Sequence, residues 1–301
     1  MPKAIFTTKA DPTYDDLPEE RYHFPRTYLR QVEAVRGDWI VYYEPRRPSG
    51  DLSSRGGRQS YFATARVDRV EPDPARPDHF YAFVSEFLEF DRPVPFREGT
   101  RYFEAGLERD GGRTNKGAFG RAVRALSDKE YDLILQAGFA QTLGEISEQV
   151  GSGLEPSELA EEAVPFCRPV VEQIIRRPFR EAAFATRVKD AYENTCAMTG
   201  LKIINGGGRA EVQAAHIRPV AHDGPDSIRN GLALSGTVHW MFDRGLISVD
   251  DDCGILIAKN RLPDTITRLL REDRRLLTPK RSSLRPHIHF LRYHRERIFK
   301  G

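Results

Sequence analysis

The strongest constraint on the fold is a series of short segments between residues 212 and 258. Residues 212–217 and 232–235 are extended apolar runs, separated by a stretch rich in proline and glycine. Residues 237–243 predict one or two helical turns, and residues 246–258 predict a β-hairpin around an aspartate-rich turn. The order is therefore strand, loop, strand, helix, hairpin, preceded by a longer helix predicted over residues 179–193.

Four polar residues occupy the joints of this series. His216 ends the first strand, Asn230 precedes the second strand, and His239 and Asp243 lie on the helix. Positions i and i+4 share a helix face, so His239 and Asp243 can reach the same object. A neutral histidine suits a general base at neutral pH, and a carboxylate suits a hard divalent cation. These residue types are compatible with such roles, and the spacing places His239 and Asp243 on one face of the helix.

Three segments carry a family resemblance, namely residues 214–219, 230–234 and 239–245 in that order. They resemble the HNH, or ββα-metal, endonucleases over roughly residues 180–300. The resemblance implies that His216 is the base and that His239 and Asp243 bind Mg²⁺ or Mn²⁺. It implies for Asn230 either a bond to the His216 ring or a role in fixing the loop, and in some members this position binds the metal.

One position departs from the family pattern. Many members have an aspartate or histidine metal ligand just before the base, whereas this chain has Ala215. Two arrangements stay open: His239 and Asp243 hold the ion together with water and phosphate, or His216 is itself a ligand.

The first 145 residues have a different character. Dense β-forming runs occur at residues 39–43, 61–67 and 80–84, and Ser127 with Glu130 predicts a helix capping box. Strands at this spacing suggest a small barrel. Residues 22–29, 36–43 and 120–127 resemble PUA-like domains of the EVE/ASCH kind, which implies a reader of a flipped, modified base.

The combination resembles modification-dependent restriction endonucleases. We therefore expect an α+β chain with an N-terminal PUA-like β-barrel and a C-terminal ββα-metal HNH nuclease domain with flanking helices. The expected domains are residues 1–145 and 166–301. Residues 146–165, rich in glycine, serine and acidic residues, are the expected linker.

A flipped base needs an aromatic wall and polar groups at its edge. The candidate base-binding residues are Trp39, Tyr43, Tyr22, His23 and Asp38, and the candidate DNA-backbone residues are Arg46, Arg58, Arg218, Arg292 and Arg295. Strand alternation places Trp39 and Tyr43 on one face and Tyr42 on the other, of which one face must be core. For any single aromatic, a place in the core is the competing interpretation.

Charge and composition set the expected partner and compartment. Residues 259–301 hold 13 basic and 4 acidic residues, which suits a polyanion. No run of about 18 apolar residues and no secretory h-region occurs, so we expect a cytoplasmic protein that does not act on membranes. The resemblance implies double-stranded DNA carrying modified cytosine as the partner, and a homodimer, because each HNH centre cuts one strand. Two alternatives remain: a nucleic-acid-binding protein with an inactive HNH fold, and an RNA-directed nuclease.

Overall fold

A computed structural model describes residues 3–9, 16–46, 57–109, 112–144 and 177–301. The chain divides into two compact units, Met1–Arg180 and Glu181–Gly301. The predicted linker at residues 146–165 lies outside the described residues. Among the described helices, none has the length and apolar character needed to cross a bilayer.

The first unit is built on one six-stranded sheet. Its strands are β1 (Lys3–Thr7), β2 (Arg21–Pro25), β3 (Trp39–Glu44), β4 (Ser60–Pro72), β5 (His79–Pro95) and β10 (Val123–Leu126); two short pairs, β6 (Arg97–Glu98) with β7 (Arg101–Tyr102) and β8 (Glu108–Arg109) with β9 (Arg113–Thr114), lie outside it. The order is β10-β1-β3-β4-β5-β2, with β1 and β3 parallel and the other neighbours antiparallel. The three strands predicted from β-forming runs are confirmed as β3, β4 and β5.

Among the described residues, the helices beside the sheet include α1 (Leu29–Ala34), α2 (Lys116–Phe119) and α3 (Asp128–Gly138). The capping box at the start of α3 is confirmed, because the Ser127 side chain accepts from the Glu130 backbone N–H while Glu130 bonds back to Ser127. Helix α3 packs on β4 and β5, and the Tyr131 hydroxyl lies 2.8 Å from the Thr64 hydroxyl. Burial and this hydrogen bond fix the helix on the sheet.

The expected barrel is not confirmed in this unit. The described pairing leaves β10 and β2 as sheet edges, so the sheet is a curled half-barrel and closure is not observed among the described residues. The competing interpretation, that the aromatic side chains of β3 are core, is confirmed on both faces: Trp39, Tyr42 and Tyr43 are all buried. Helix α3 covers one face, whereas Phe6, Phe87 and other apolar side chains pack around Tyr42 on the other face. A strand central to a sheet covered on both sides has no exposed face.

The second unit contains helix α4 (Arg177–Ala191), whose residues up to Arg180 are counted with the first unit. Its other elements are β11 (Gln213–His216), β12 (Gly231–Leu234), α5 (Gly236–Asp243), β13 (Ile247–Val249), β14 (Ile255–Ile257) and α6 (Ile288–Arg297). Strands β11 and β12 pair antiparallel, with His216 opposite Gly231, and β13 pairs with β14. The predicted order of strand, loop, strand, helix and hairpin is confirmed.

An apolar core joins these elements. Val188 of α4, Leu232 of β12, Phe242 of α5 and Phe290 of α6 are buried in one cluster. The Phe242 ring also stacks on the buried His294 ring at 3.8 Å between centroids. Packing from three helices therefore fixes the hairpin β11–β12, and with it the loop of residues 217–230 that the hairpin closes.

Candidate active site

His216 lies at the end of β11, where two neighbours fix its ring. The ring stacks almost parallel on Phe184 of α4, with 3.9 Å between centroids and 13° between planes. Its Nε2 lies 2.9 Å from Oδ1 of Asp226. The side chain is 17% exposed, so the ring is held from two sides and still reaches the surface.

Asp226 is a site residue that the sequence analysis missed. Its side chain is 1% exposed, and it lies in the loop between the two strands. A carboxylate oxygen only accepts, so Nε2 of His216 carries the proton and Nδ1 keeps its lone pair. In the sequence, Asp226 looks no different from Asp223 of the same loop, which is exposed. Only the neighbouring prolines and Gly224 hint that this part of the loop is tightly held.

Asn230 holds the loop and is fully buried. Its Oδ1 accepts from the Arg218 backbone N–H at 2.8 Å, and its Nδ2 donates to the carbonyls of Arg218 at 3.0 Å and Pro225 at 2.9 Å. Gly224 lets the loop close, because a Cβ there would lie 1.8 Å from the Arg218 carbonyl oxygen. Of the roles that the resemblance left open, these bonds match the one that fixes the loop.

His239 and Asp243 face each other on α5. The His239 Nε2 lies 3.4 Å from Oδ2 of Asp243, and its Nδ1 lies 2.8 Å from Oε1 of Gln213 on β11. An amide oxygen only accepts, so Nδ1 carries the proton and Nε2 presents its lone pair toward the carboxylate. An outer hydrogen bond of this kind orients a metal-binding histidine.

The donor chemistry of this pair fits one hard divalent ion. Two atoms that both reach Mg²⁺ at about 2.1 Å lie no more than about 4.2 Å apart, and the pair satisfies this limit. Among the described residues, no group of three or more His, Cys, Asp or Glu side chains is placed to hold a metal. His239 and Asp243 would therefore supply two protein ligands to an ion, and water and phosphate would have to fill its other positions.

A groove of about 610 Å³ runs beside His239. Its lining includes Gln213 together with the cationic side chains of Lys189 and Arg209. The carboxylate of Glu211 also lines the groove, and the two cations beside His239 suit the approach of a phosphate backbone.

Comparison with known proteins agrees with this geometry. The family model described as HNH endonuclease matches residues 196–250. These residues are an HNH endonuclease domain. No curated protein matches the sequence.

Solved structures with some likeness to the chain are restriction proteins. A modification-dependent TagI restriction endonuclease is 16% identical, with 98% of this chain and 81% of that chain covered, at a TM-score of 0.32. The N-terminal domain of Staphylothermus marinus McrB is 13% identical over 44% of this chain and 92% of that chain, at a TM-score of 0.30. ScoMcrA, a type IV phosphorothioation-dependent restriction endonuclease, is 14% identical, with 98% of this chain and 56% of that chain covered, at a TM-score of 0.21. These TM-scores are too low to establish a shared fold.

The second unit, Glu181–Gly301, contains the HNH domain and is called the HNH unit. Its three candidate arginines have partners of their own. Arg218 lies over the Tyr293 ring at 5.1 Å, and its Nε donates to the His222 carbonyl. Arg292 and Arg295 both bond to Asp251, and Arg292 lies 2.7 Å from it. The shared carboxylate offsets part of their positive charge.

The candidate base-binding residues of the first unit lie inside it. Tyr22 stacks on Phe6 at 4.6 Å and donates to the Thr7 carbonyl. His23 lies 3.0 Å from Asp73, and Asp38 pairs with Lys3 at 3.2 Å. These three side chains and Trp39 are buried, so they occupy packed positions in the first unit.

Tyr43 differs from the other candidates in its polar group. Its buried hydroxyl has no hydrogen-bond partner among the described residues. Around it lie Tyr61, which donates to Glu104 at 2.6 Å, and Arg124, whose guanidinium bonds both Glu104 oxygens. Burial raises the pKa of Tyr43 above its usual range despite the cation of Arg124. The hydroxyl is therefore a neutral, uncommitted donor beside a buried ion pair.

The two arginines of the first unit differ in their constraint. Arg58 is ion-paired with Glu44 and lies over the Phe62 ring at 4.8 Å. Arg46 is exposed, and its carbonyl accepts from the Gly57 N–H at 2.9 Å. Arg46 is thus the freer of the two to meet a phosphate.

Proposed function

We propose that this protein is a modification-dependent DNA restriction endonuclease. Its HNH domain hydrolyses phosphodiester bonds near a methylated or hydroxymethylated cytosine, and that base is flipped into a PUA-like reader formed by residues 1–145. The observation that carries the proposal is the geometry of His216: its ring is fixed by Phe184 and Asp226, with Nε2 bonded to the Asp226 carboxylate. A histidine held in this way can accept a proton from the attacking water during hydrolysis.

The residues divide the chemistry between them. His216 accepts a proton from the attacking water at Nδ1, and the Asp226 carboxylate stabilises the imidazolium that forms. His239 and Asp243 would hold Mg²⁺ or Mn²⁺, with Gln213 orienting the histidine. A bound ion supplies positive charge for the leaving oxygen and the transition state. Asn230 keeps the loop closed around the base.

Within the reader, Tyr43 is the residue we favour for contact with the base. An unpaired hydroxyl in a buried position costs free energy until a ligand bonds to it. Trp39, Tyr22, His23 and Asp38 remain in the proposal as residues that shape the sheet around it. A base edge offers donors and acceptors of the kind that this hydroxyl lacks.

DNA approach and assembly complete the proposal. Arg46 and Arg58 in the first unit, with Arg218, Arg292 and Arg295 in the second unit, contact the phosphate backbone. Each HNH centre cuts one strand, so a double-strand break calls for two copies, and we propose a homodimer.

Cleavage of matched substrates tests the proposal. Duplexes of one sequence would carry cytosine, 5-methylcytosine or 5-hydroxymethylcytosine, in Mg²⁺ or Mn²⁺, with an EDTA control and an RNA of the same sequence. We expect cutting of a modified duplex only, and none in EDTA. Equal cutting of all duplexes would remove the reader from the account. Preferential cutting of RNA would favour the RNA-directed alternative, and binding without cutting in either metal would favour the inactive fold.

A further inference from the structure

We propose that Asp226 is the positioning residue for the catalytic base, and that the geometry of the loop places its carboxylate against His216. This inference deepens the proposed nuclease function and rests on it. Asp226 does not touch substrate in this account. It acts through the tautomer and the orientation of the His216 ring.

The contact itself has the features of an orienting bond. The Nε2–Oδ1 distance is 2.9 Å, within the range of a charge-assisted hydrogen bond. The Asp226 side chain is 1% exposed, and a buried carboxylate is costly unless it is bonded. The partner that satisfies the Asp226 carboxylate is the ring at the end of β11 that reaches the surface, so the same bond also orients His216.

Phe184 supplies the second constraint. Stacking at 3.9 Å and 13° fixes the plane of the His216 ring but does not distinguish its two nitrogens. The bond to Asp226 makes that distinction, because turning the ring over would take Nε2 away from the carboxylate. The two contacts together leave Nδ1 as the nitrogen that can accept a proton.

The loop explains how Asp226 is held. Asn230 bonds the carbonyl of Pro225, the residue just before Asp226, and both backbone groups of Arg218. A Cβ at Gly224 would collide with the Arg218 carbonyl oxygen, so the chain passes there at close range. The route from Asn230 to the base therefore runs through Pro225 and Asp226. We infer that Asn230 supports catalysis by this route.

The first experiment compares Asp226→Asn with Asp223→Asn in the full-length protein. Asp223 lies in the same loop but is exposed and has a positive φ of 59°, which asparagine tolerates. We expect Asp226→Asn to lower kcat about 100-fold, the lower end of a general base contribution, with KM changed less than about threefold. Asp223→Asn should keep both constants. A wild-type kcat in Asp226→Asn, or a loss confined to KM, would overturn the proposal.

The second experiment needs no substrate. Nitrogen-15 NMR of the wild-type imidazoles, with His216 assigned by its absence in His216→Ala, reports which nitrogen bears the proton in the neutral ring. We expect the Nε2–H tautomer for His216, and a mixture of tautomers in Asp226→Ala. An Nδ1–H tautomer in the wild type would overturn the proposal even if the Asp226 variants fail to fold. If the wild type cuts no nucleic acid, the proposed function fails, while this spectrum still decides the role of Asp226.

Discussion

The two units treat their polar candidate residues in opposite ways. In the HNH unit, His216 contacts Asp226, and His239 contacts Asp243. The side chains of His216, His239 and Asp243 are nevertheless 17%, 22% and 55% exposed. In the first unit, Tyr22 and His23 are about as buried as the apolar side chains around them. Polar groups that are held and still accessible can act on a substrate, whereas polar groups enclosed by a sheet first serve the core.

The same contrast appears in what each residue leaves unsatisfied. In the HNH unit, one ring nitrogen of His216 contacts Asp226 and one ring nitrogen of His239 contacts Gln213. The other nitrogen of each ring is the one proposed to act in hydrolysis. Tyr42 and Tyr43 in the first unit are buried, and their hydroxyls have no hydrogen-bond partner among the described residues. A base reader in the first unit would therefore depend on one hydroxyl that lacks a hydrogen-bond partner, whereas the nuclease site would depend on several side chains that their neighbours orient. Four substitutions test this difference, and they follow in order of effect.

Asn230→Ala should have the largest effect. It removes three hydrogen bonds and leaves the backbone groups of Arg218 and Pro225 unpaired, which we expect to cost about 3–5 kcal/mol of unfolding free energy. Urea unfolding followed by circular dichroism measures this cost. Asn205→Ala, in an exposed turn, is the control and should cost less than about 1 kcal/mol. Equal costs for the two variants would show that the loop is not held through Asn230.

His294 makes the HNH unit sensitive to acid. Burial lowers its pKa from 6.5 to about 4, although its bond to the Phe242 carbonyl acts in the other direction. Above pH 6.5 the ring is neutral in both states. Between pH 6.5 and about 4 only the unfolded chain takes up the proton, so stability falls by about 3 kcal/mol over this window.

Unfolding of the wild type and His294→Gln from pH 7 to pH 4 checks this sign. The stability advantage of the wild type should shrink as the pH falls, because the variant lacks the titrating ring. An advantage that stays constant with pH would contradict a neutral, buried His294.

Gly231→Ala tests how closely α4 must approach the strand that faces His216. A Cβ at Gly231 would lie 2.4 Å from Cγ2 of Val188 and 3.1 Å from the Phe184 ring. We expect a cost of about 2 kcal/mol for this overpacking, and a fall in kcat because Phe184 would shift under His216. Gly206→Ala, with open space around it, is the matched control. Full activity in Gly231→Ala would mean that the Phe184 stack is dispensable.

Tyr43→Phe should have the smallest effect on stability and still change selectivity. Removing an unpaired buried hydroxyl is close to neutral for folding, whereas losing its bond to a base costs about 1 kcal/mol, or about fivefold in affinity. Tyr42→Phe removes an equally unpaired hydroxyl from the opposite face of β3 and is the control. Competition binding with modified and plain duplexes measures both. If the two variants lose equal selectivity, or neither loses any, Tyr43 is not the contact residue.

Sequence spacing predicted the order of the elements in the HNH unit because each of these elements is local. His216, Asn230, His239 and Asp243 lie within one strand, loop, strand and helix, and each element carries its own periodicity. The contact of Asp226 with His216 was not predicted, because it depends on burial and on the path of the loop. A single acidic residue in a sequence reveals neither of these. Gln213 escaped for the same reason, since its partner His239 is 26 residues away.

The first unit was harder to predict for a physical reason. Strands β1, β2 and β10 are short and meet across long sequence separations, so no local signal pairs Lys3 with Leu126. Aromatic residues mark β-strands but do not say which face stays open, and here β3 has no open face. The capping box of α3 was predictable because Ser127 and Glu130 act within one helical turn.

The central claim is that His216 is the base of a metal-dependent nuclease, and one comparison tests it most directly. Wild type and His216→Ala would be incubated with supercoiled DNA carrying modified cytosine in Mg²⁺, after circular dichroism shows equal folding. The account predicts nicked and linear products with the wild type and a rate at least about 100-fold lower with His216→Ala. Equal rates for the two proteins would contradict it, because the cutting would then come from other residues.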